Sequence, residues 1–356
     1  MGEKKADLKA VNFRKNATVS ERGKFRQVLA SHVNGGCLTQ GDVLFSMISS
    51  SIPFKSHAEE IILQYQDFKA LLPAGGNSLN EIQVEVYSGG NSHVLKMMNY
   101  LDKHAGNNLM GAYVHGSLAT GEEIAYSDFD ALVILKDEVF ESPYRLAKVA
   151  KKLSDARSIM FDFDPLQHHG WFVLTEADLK YYPEEYFPLE LFRYAKSLFS
   201  EKGLELTIHI QNSLAGKRKA FDDLTSSIIK RVAPQDYPKN MYQLKGLLSQ
   251  IMLLPACYVQ VRDKKGIYKK YSFAAARVDF LDEDWSIMNE VSSLRENWSC
   301  NMSPLRRWLM TRPQPISRFL AKNYAPGIPG SLKKHLTDDF YMRMKNLITA
   351  MQRNLN

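Results

Sequence analysis

Between Gly116 and Leu135 the chain reads GSLATGEEIAYSDFDALVIL. The last five residues, ALVIL, are uncharged and apolar, the signature of a fully buried strand. Asp128 and Asp130 stand directly before it. In extended chain, residues i and i+2 project to the same side, so the two carboxylates share a face with Cα atoms about 6–7 Å apart. Burying unpaired charge is expensive, so a counter-charge must lie beside them. An Asp in a loop also serves as an N-cap or Asx-turn residue, but that role does not account for a charge leading straight into an apolar strand. Divalent cations do, since paired metal ions bridged by carboxylates are the machinery of phosphoryl transfer. Gly116 and Ser117 precede the pair on a turn, where glycine lets backbone N–H groups approach a phosphate and serine adds a donor.

The surrounding pattern places this stretch in an α/β core. SHVLKMMNYLDKHA predicts a helix ended by Gly106, and LMGAYVHGS predicts a short strand. SPYRLAKVAKKLSDA predicts a helix with Ser142 as N-cap and Pro143 at its first position. SIMFDFDPLQHHGWFVL is expected to be a long β-rich stretch. Ahead of this core, residues 1–90 are expected to form a mostly helical extension. The core itself is assigned to 91–187. From 188 to 356 the segments FPLELFRYAKSLF, NSLAGKRKAFDDLTSSIIKRV and YPKNMYQLKGLLSQIMLLPACYVQV all suggest helices. A final basic helix, SLKKHLTDDFYMRMKNLITAMQRN, closes the chain.

G-S, ten residues, then D-x-D before an apolar strand resembles the nucleotidyltransferase signature of the DNA polymerase β superfamily. Leu118, Ala119, Thr120, Gly121 and Ser127 also fit its G-S-x-A-x-G…S-D-x-D form. The resemblance implies an α+β fold: a mixed-sheet core, here with an N-terminal helical extension and a C-terminal helical domain. It also implies two Mg²⁺ ions, with Mn²⁺ as the alternative, held by Asp128 and Asp130. A nucleoside triphosphate would bind through Gly116, Ser117 and Ser127. The implied reaction is attack of an acceptor hydroxyl on the α-phosphate, expelling pyrophosphate.

Members of that superfamily carry a third acid on the next strand, just before its apolar run. Here that spot, ahead of WFVL, holds Gln167, His168 and His169. Asp164 is the first choice for the third metal-holding and catalytic carboxylate, and His168 the alternative. Asp162 would share the face of Asp164 if this segment were a strand. In related enzymes the helical domain supplies lysines to the triphosphate. Lys245 in YQLKGLLSQIMLLP and Lys269 in YKKYSF resemble those elements, although a lone lysine on an apolar helix also snorkels to solvent. Tyr242 and Trp171 could stack on a base, with core packing as the plainer role. AGKRKAF is not a P-loop, because Gln211 stands where its first glycine should be and no Ser or Thr follows Lys217.

Charge then bears on the acceptor. The net charge is +7, but residues 1–30 hold eight Lys/Arg against three Asp/Glu, and residues 301–356 hold ten against two. The stretch between therefore sums to −6. Basic ends around an acidic middle suggest a polyanion held outside a cation site. An RNA such as a tRNA 3′ end is the first expected acceptor. A second nucleotide, giving an oligonucleotide or cyclic signal as cGAS-like synthases do, is next, followed by a protein or small molecule. A catalytically inactive nucleic-acid-binding module is the non-enzymatic alternative. No eighteen-residue uncharged apolar run occurs, so no membrane span is expected. Cys37, Cys257 and Cys300 fit neither a zinc spacing nor a disulfide framework, and a cytoplasmic setting is expected.

Overall fold

Strand β3 (Ala131–Leu135) is buried at every position, as its unbroken apolar sequence requires. The computed structural model describes residues 19–35, 52–70, 72, 78–200, 204–210, 213–311 and 316–356. In chain order the first elements are α1 (Val19–Val33), α2 (Ile52–Ala70), β1 (Ser78–Val84), α3 (Ser92–His104), β2 (Leu109–Val114) and β3. Next come α4 (Pro143–Phe163), β4 (Phe172–Thr175), β5 (Lys196–Ser197) and β6 (Leu204–Ile210). The strand order β4-β3-β2-β5 forms a mixed sheet, with β3 and β4 parallel and the other pairings antiparallel. β1 and β6 form a separate antiparallel pair. The parallel β3–β4 pair is joined by α4, whose apolar stripe (Leu146, Val149, Ala150, Leu153, Ala156, Met160) packs in the core with β3.

The C-terminal part is helical: α5 (Leu214–Arg231), α6 (Met241–Ile251), α7 (Leu254–Arg262), α8 (Lys269–Arg277) and α9 (Asp282–Glu296). α10 (Pro304–Met310), α11 (Ile316–Tyr324) and α12 (Asp338–Asn354) follow. One apolar cluster runs through these helices and also takes in Tyr126 and Leu166 from the sheet-bearing part. The whole is an α+β fold. The stretch Met241–Arg262 is apolar and long enough to cross a membrane by composition, yet its most apolar window is 72% buried within the protein and the helix breaks between α6 and α7.

Four local expectations are corrected. SIMFDF is not strand but the last turns of α4, because the apolar helical period continues through Met160. The helix stops where it must: Asp164 precedes Pro165 and adopts extended dihedrals (φ −135°, ψ 102°), as the proline ring disfavours the helical region there. Asp162 and Asp164 therefore do not alternate along a strand. FPLELFRYAKSLF is not a helix but a 3₁₀ turn at Leu189–Leu191 followed by β5. β1 and β6 were absent from the expected pattern, although LELTIHI alternates cleanly, burying Leu206 and Ile208. The final basic helix is two helices, Gly330–Lys333 and α12, the second started by Thr337 accepting the Phe340 N–H.

Candidate metal and nucleotide site

Asp128 and Asp130 sit at the start of β3, with side chains 13% and 29% exposed. Their backbone is held from two sides. The His115 N–H donates to the Asp130 carbonyl, extending the β2–β3 pairing. Gln167, 1% exposed, clasps the residue between the aspartates: its Oε1 accepts the Phe129 N–H at 2.9 Å and its Nε2 donates to the Phe129 carbonyl at 3.1 Å. The same amide nitrogen donates to the His169 carbonyl at 2.8 Å. One buried amide thus couples the D-x-D backbone to the turn entering β4.

Gly116 has φ +69°, a conformation that favours glycine. A Cβ there would lie 2.9 Å from Asp130 Oδ2, so the glycine also leaves clearance beside the carboxylate. Ser117 Oγ hydrogen-bonds Ser127 Oγ at 3.0 Å, and Ser127 Oγ accepts the Ile124 N–H, closing the loop between glycine and aspartates. Tyr126, in that loop, donates its hydroxyl to the Lys245 carbonyl at 2.7 Å and so docks the loop on α6.

The counter-charges are now visible. Lys245 is fully buried and places Nζ 2.6 Å from Asp128 Oδ1 and 2.7 Å from Asp164 Oδ2. His169 Nε2 lies 3.1 Å from Asp130 Oδ1 and 3.6 Å from Asp128 Oδ2. Burial works against charge on Asp128, but Lys245 and His169 outweigh it and hold the carboxyl well below its usual value. Asp130 is lowered too, burial being overcome by the His169 hydrogen bond and charge. Burial raises Asp164 to about 7, against the pull of Lys245 and with the Asp128 charge adding to the rise. Burial opposes a charged His169, yet its hydrogen bonds to Asp128 and Asp130 push the imidazole up to about 10. Lys245 is raised by Asp164 and Asp128 despite burial.

Of the residues expected from sequence, the fold brings together Asp128, Asp130, Asp164 and Lys245. Gly116, Ser117 and Ser127 adjoin them. Lys269 is half-buried at the start of α8 and makes no ion pair among the described residues. Burial first, and then Arg295, lower it to about 8 against the attraction of Asp130 and Asp128. His168 does not take the carboxylate-facing place. It stacks on Tyr242 (centroids 3.9 Å apart, planes at 16°), and burial lowers it to about 3. A Cβ on Gly246 would come within 2.6 Å of His168 Nε2, so the glycine permits this close approach of α6. The neighbouring His169 is the one on the aspartates. Trp171 is 2% exposed and donates its indole N–H to the Leu153 carbonyl, a core role.

Sequence reasoning missed two residues, His169 and Arg295. The register of β3 and β4 pairs Leu132 with Phe172, so His169 and Gly170 flank the level of Asp130. That level is legible only once the true start of β4 is known. Arg295, from α9, lies over the Tyr126 ring at 4.8 Å, as Lys245 does at 4.9 Å.

The donor set fits a divalent cation. Asp128, Asp130 and His169 each offer one ligand atom, all within 4.8 Å of one another. Two carboxylate oxygens and an imidazole nitrogen converging at a partly exposed edge are metal-ligand chemistry. No curated protein and no solved structure matches the chain. The family model of the nucleotidyltransferase domain matches residues 101–186, a span that holds β2, β3, α4, β4, the Gly116 turn and all three ligand candidates. The match over residues 101–186 is consistent with the DNA polymerase β-like nucleotidyltransferase superfamily.

Proposed function

We propose that the protein transfers NMP from a nucleoside triphosphate to an acceptor hydroxyl in a reaction dependent on a divalent metal. The observation that carries this reading is the three-atom ligand set of Asp128, Asp130 and His169 beside the Gly116–Ser117 turn of a nucleotidyltransferase domain. A bound divalent ion would supply electrostatic stabilisation of the charge that develops on the phosphoryl oxygens. Asp128 and Asp130 would hold that ion in the cleft. Gly116 keeps the turn open beside Asp130, and the Ser117–Ser127 pair presents hydroxyls toward the triphosphate. Lys269, which makes no ion pair among the described residues, is a cation of α8 available to the nucleotide phosphates. Asp164, held 2.7 Å from Lys245, is the remaining carboxylate of the cluster and the candidate base.

We infer an RNA acceptor. Arg306, Arg307, Lys322, Lys333 and Lys334 are exposed on the C-terminal helices, a surface suited to phosphates. The basic residues 1–18 and Arg312 lie outside the described residues. Incubation with labelled NTPs and Mg²⁺ or Mn²⁺, with and without total RNA, tests the reading: labelled RNA and released pyrophosphate are expected, and both vanish in Asp130→Asn. A second reading, an inert polyanion-binding module, draws on the absence of an acid from β4 and on Lys245 occupying Asp128 and Asp164. RNA binding with no nucleotide turnover under either ion would favour it.

A further inference from the structure

We propose that His169 is a direct metal ligand, and that the Asp128–Asp130–His169 centre takes a first-row transition divalent ion in preference to Mg²⁺. The inference rests on the metal-dependent reading above and specifies its ion.

Three observations carry it. First, His169 Nε2 is aimed at both aspartates, at 3.1 and 3.6 Å, close enough for an ion to be shared among the three ligand atoms. Second, the other ring nitrogen faces away: His169 Nδ1 lies 3.4 Å from the Gly170 carbonyl. A bound ion would displace the proton that Nε2 shares with the aspartates and leave the remaining proton on Nδ1, where a backbone carbonyl behind a histidine is the usual partner in metal centres. Third, the ligand is held in place. The His169 carbonyl is bonded by Gln167, which also clasps Phe129 between the two aspartates, so all three ligands hang from one buried amide.

The third carboxylate candidate is meanwhile engaged elsewhere. Asp164 Oδ2 is 2.7 Å from the buried Lys245 ammonium, which also takes Asp128 Oδ1. The donors left facing the cleft are two oxygens and one nitrogen. Mg²⁺ is a hard cation that takes oxygen ligands and keeps its waters, whereas imidazole suits the transition ions. Exchanging a third carboxylate for an imidazole therefore moves the preference from Mg²⁺ toward the first-row transition ions, Zn²⁺, Ni²⁺ and Co²⁺ most and Mn²⁺ least.

The experiment uses the full chain and Mn²⁺ as the probe. Pulsed EPR of the Mn²⁺-loaded protein is expected to show ¹⁴N coupling from a directly bound imidazole. Titration calorimetry is expected to give Mn²⁺ a lower Kd than Mg²⁺. His169→Gln is expected to lose the nitrogen coupling, and His169→Asp to bring the two affinities together. The wild-type spectrum needs no variant to fold. Bound Mn²⁺ with no nitrogen coupling would overturn the ligand assignment and leave the metal-dependent reading standing. Mg²⁺ binding as tightly as Mn²⁺ would overturn the preference. No divalent ion bound at millimolar concentration would overturn both.

Discussion

Single side chains decide the surroundings of Asp128 and Asp130. On sequence alone the two carboxylates repel, and removing one should leave the fold intact or firmer. The buried Lys245 reverses that expectation for Asp128, because the ammonium loses one of two partners. Asp128→Ala should abolish nucleotidyl transfer and also lower stability, by roughly 1–3 kcal/mol, the cost of stripping a partner from a buried charged hydrogen bond. Lys245→Met should cost more, about 3–5 kcal/mol, since Asp128 and Asp164 are then left without their shared cation. Urea unfolding of both variants checks the order, and a Lys245→Met protein as stable as wild type would contradict it. His32 gives a pH test away from the site. It is 1% exposed, and burial, assisted by His57, lowers it to about 3. The unfolded chain binds a proton near pH 6.5 that the native state refuses, so this imidazole costs stability progressively below pH 6.5 and nothing above it. Denaturant midpoints of wild type and His32→Asn between pH 7 and 5 should show the variant with the flatter acid limb, by about one proton.

At the level of elements, the informative failure concerns the span from Arg157 to Val173. The Gly116–Asp130 turn and β3 were legible, because an apolar run preceded by carboxylates has few other folds open to it. The end of α4 is not legible locally: MFDF supports a strand, while its place in the helix stripe decides for helix. With α4 running to Phe163, β4 begins at Phe172, and its register brings His169 to the level of the aspartates. The Asp-Pro step at 164–165 was the available signal for the helix end. Lys245 was picked out as a cation on an apolar helix, but no pattern in α6 reports that it meets Asp128 and Asp164. Gln167 was passed over as part of the histidine turn, though it joins three backbone groups of two elements. Gln167→Leu, of similar size, leaves the Phe129 N–H and two carbonyls unbonded. It should cost about 1–3 kcal/mol in stability per group left unsatisfied. It should also weaken metal binding by about 10–100-fold, as loss of a supporting hydrogen bond does. Calorimetric metal titration beside thermal melts separates the two effects; a variant with weakened stability and unchanged metal affinity would show that the clasp does not serve the ligands.

For the whole molecule, charge is unevenly distributed along the chain. The acidic stretch between the ends contains the aspartate cleft, and the basic surplus lies at residues 1–30 and 301–356. If the C-terminal surface holds an RNA acceptor, each phosphate it neutralises releases a counterion, and affinity falls with salt by a slope of about −0.7 per phosphate on a single strand. Arg307 is a poor probe of this, because its guanidinium donates to the Asp162 carbonyl at the end of α4 and joins two parts of the fold. Arg306, Lys333 and Lys334 are exposed. Charge reversal of these three to Glu should weaken single-stranded RNA binding and make the log–log salt slope shallower by up to about 2, three phosphates at 0.7 each. The Kd for free NTP should stay unchanged, since the proposed triphosphate site is the Gly116 turn and Lys269 rather than these helices. Fluorescence anisotropy with a short RNA at several salt concentrations reads the slope, and a fluorescent NTP analogue reads the nucleotide site in the same protein. A slope unchanged by the triple reversal would move the acceptor away from the C-terminal helices. Loss of NTP affinity alongside RNA affinity would mean that one surface serves both ligands.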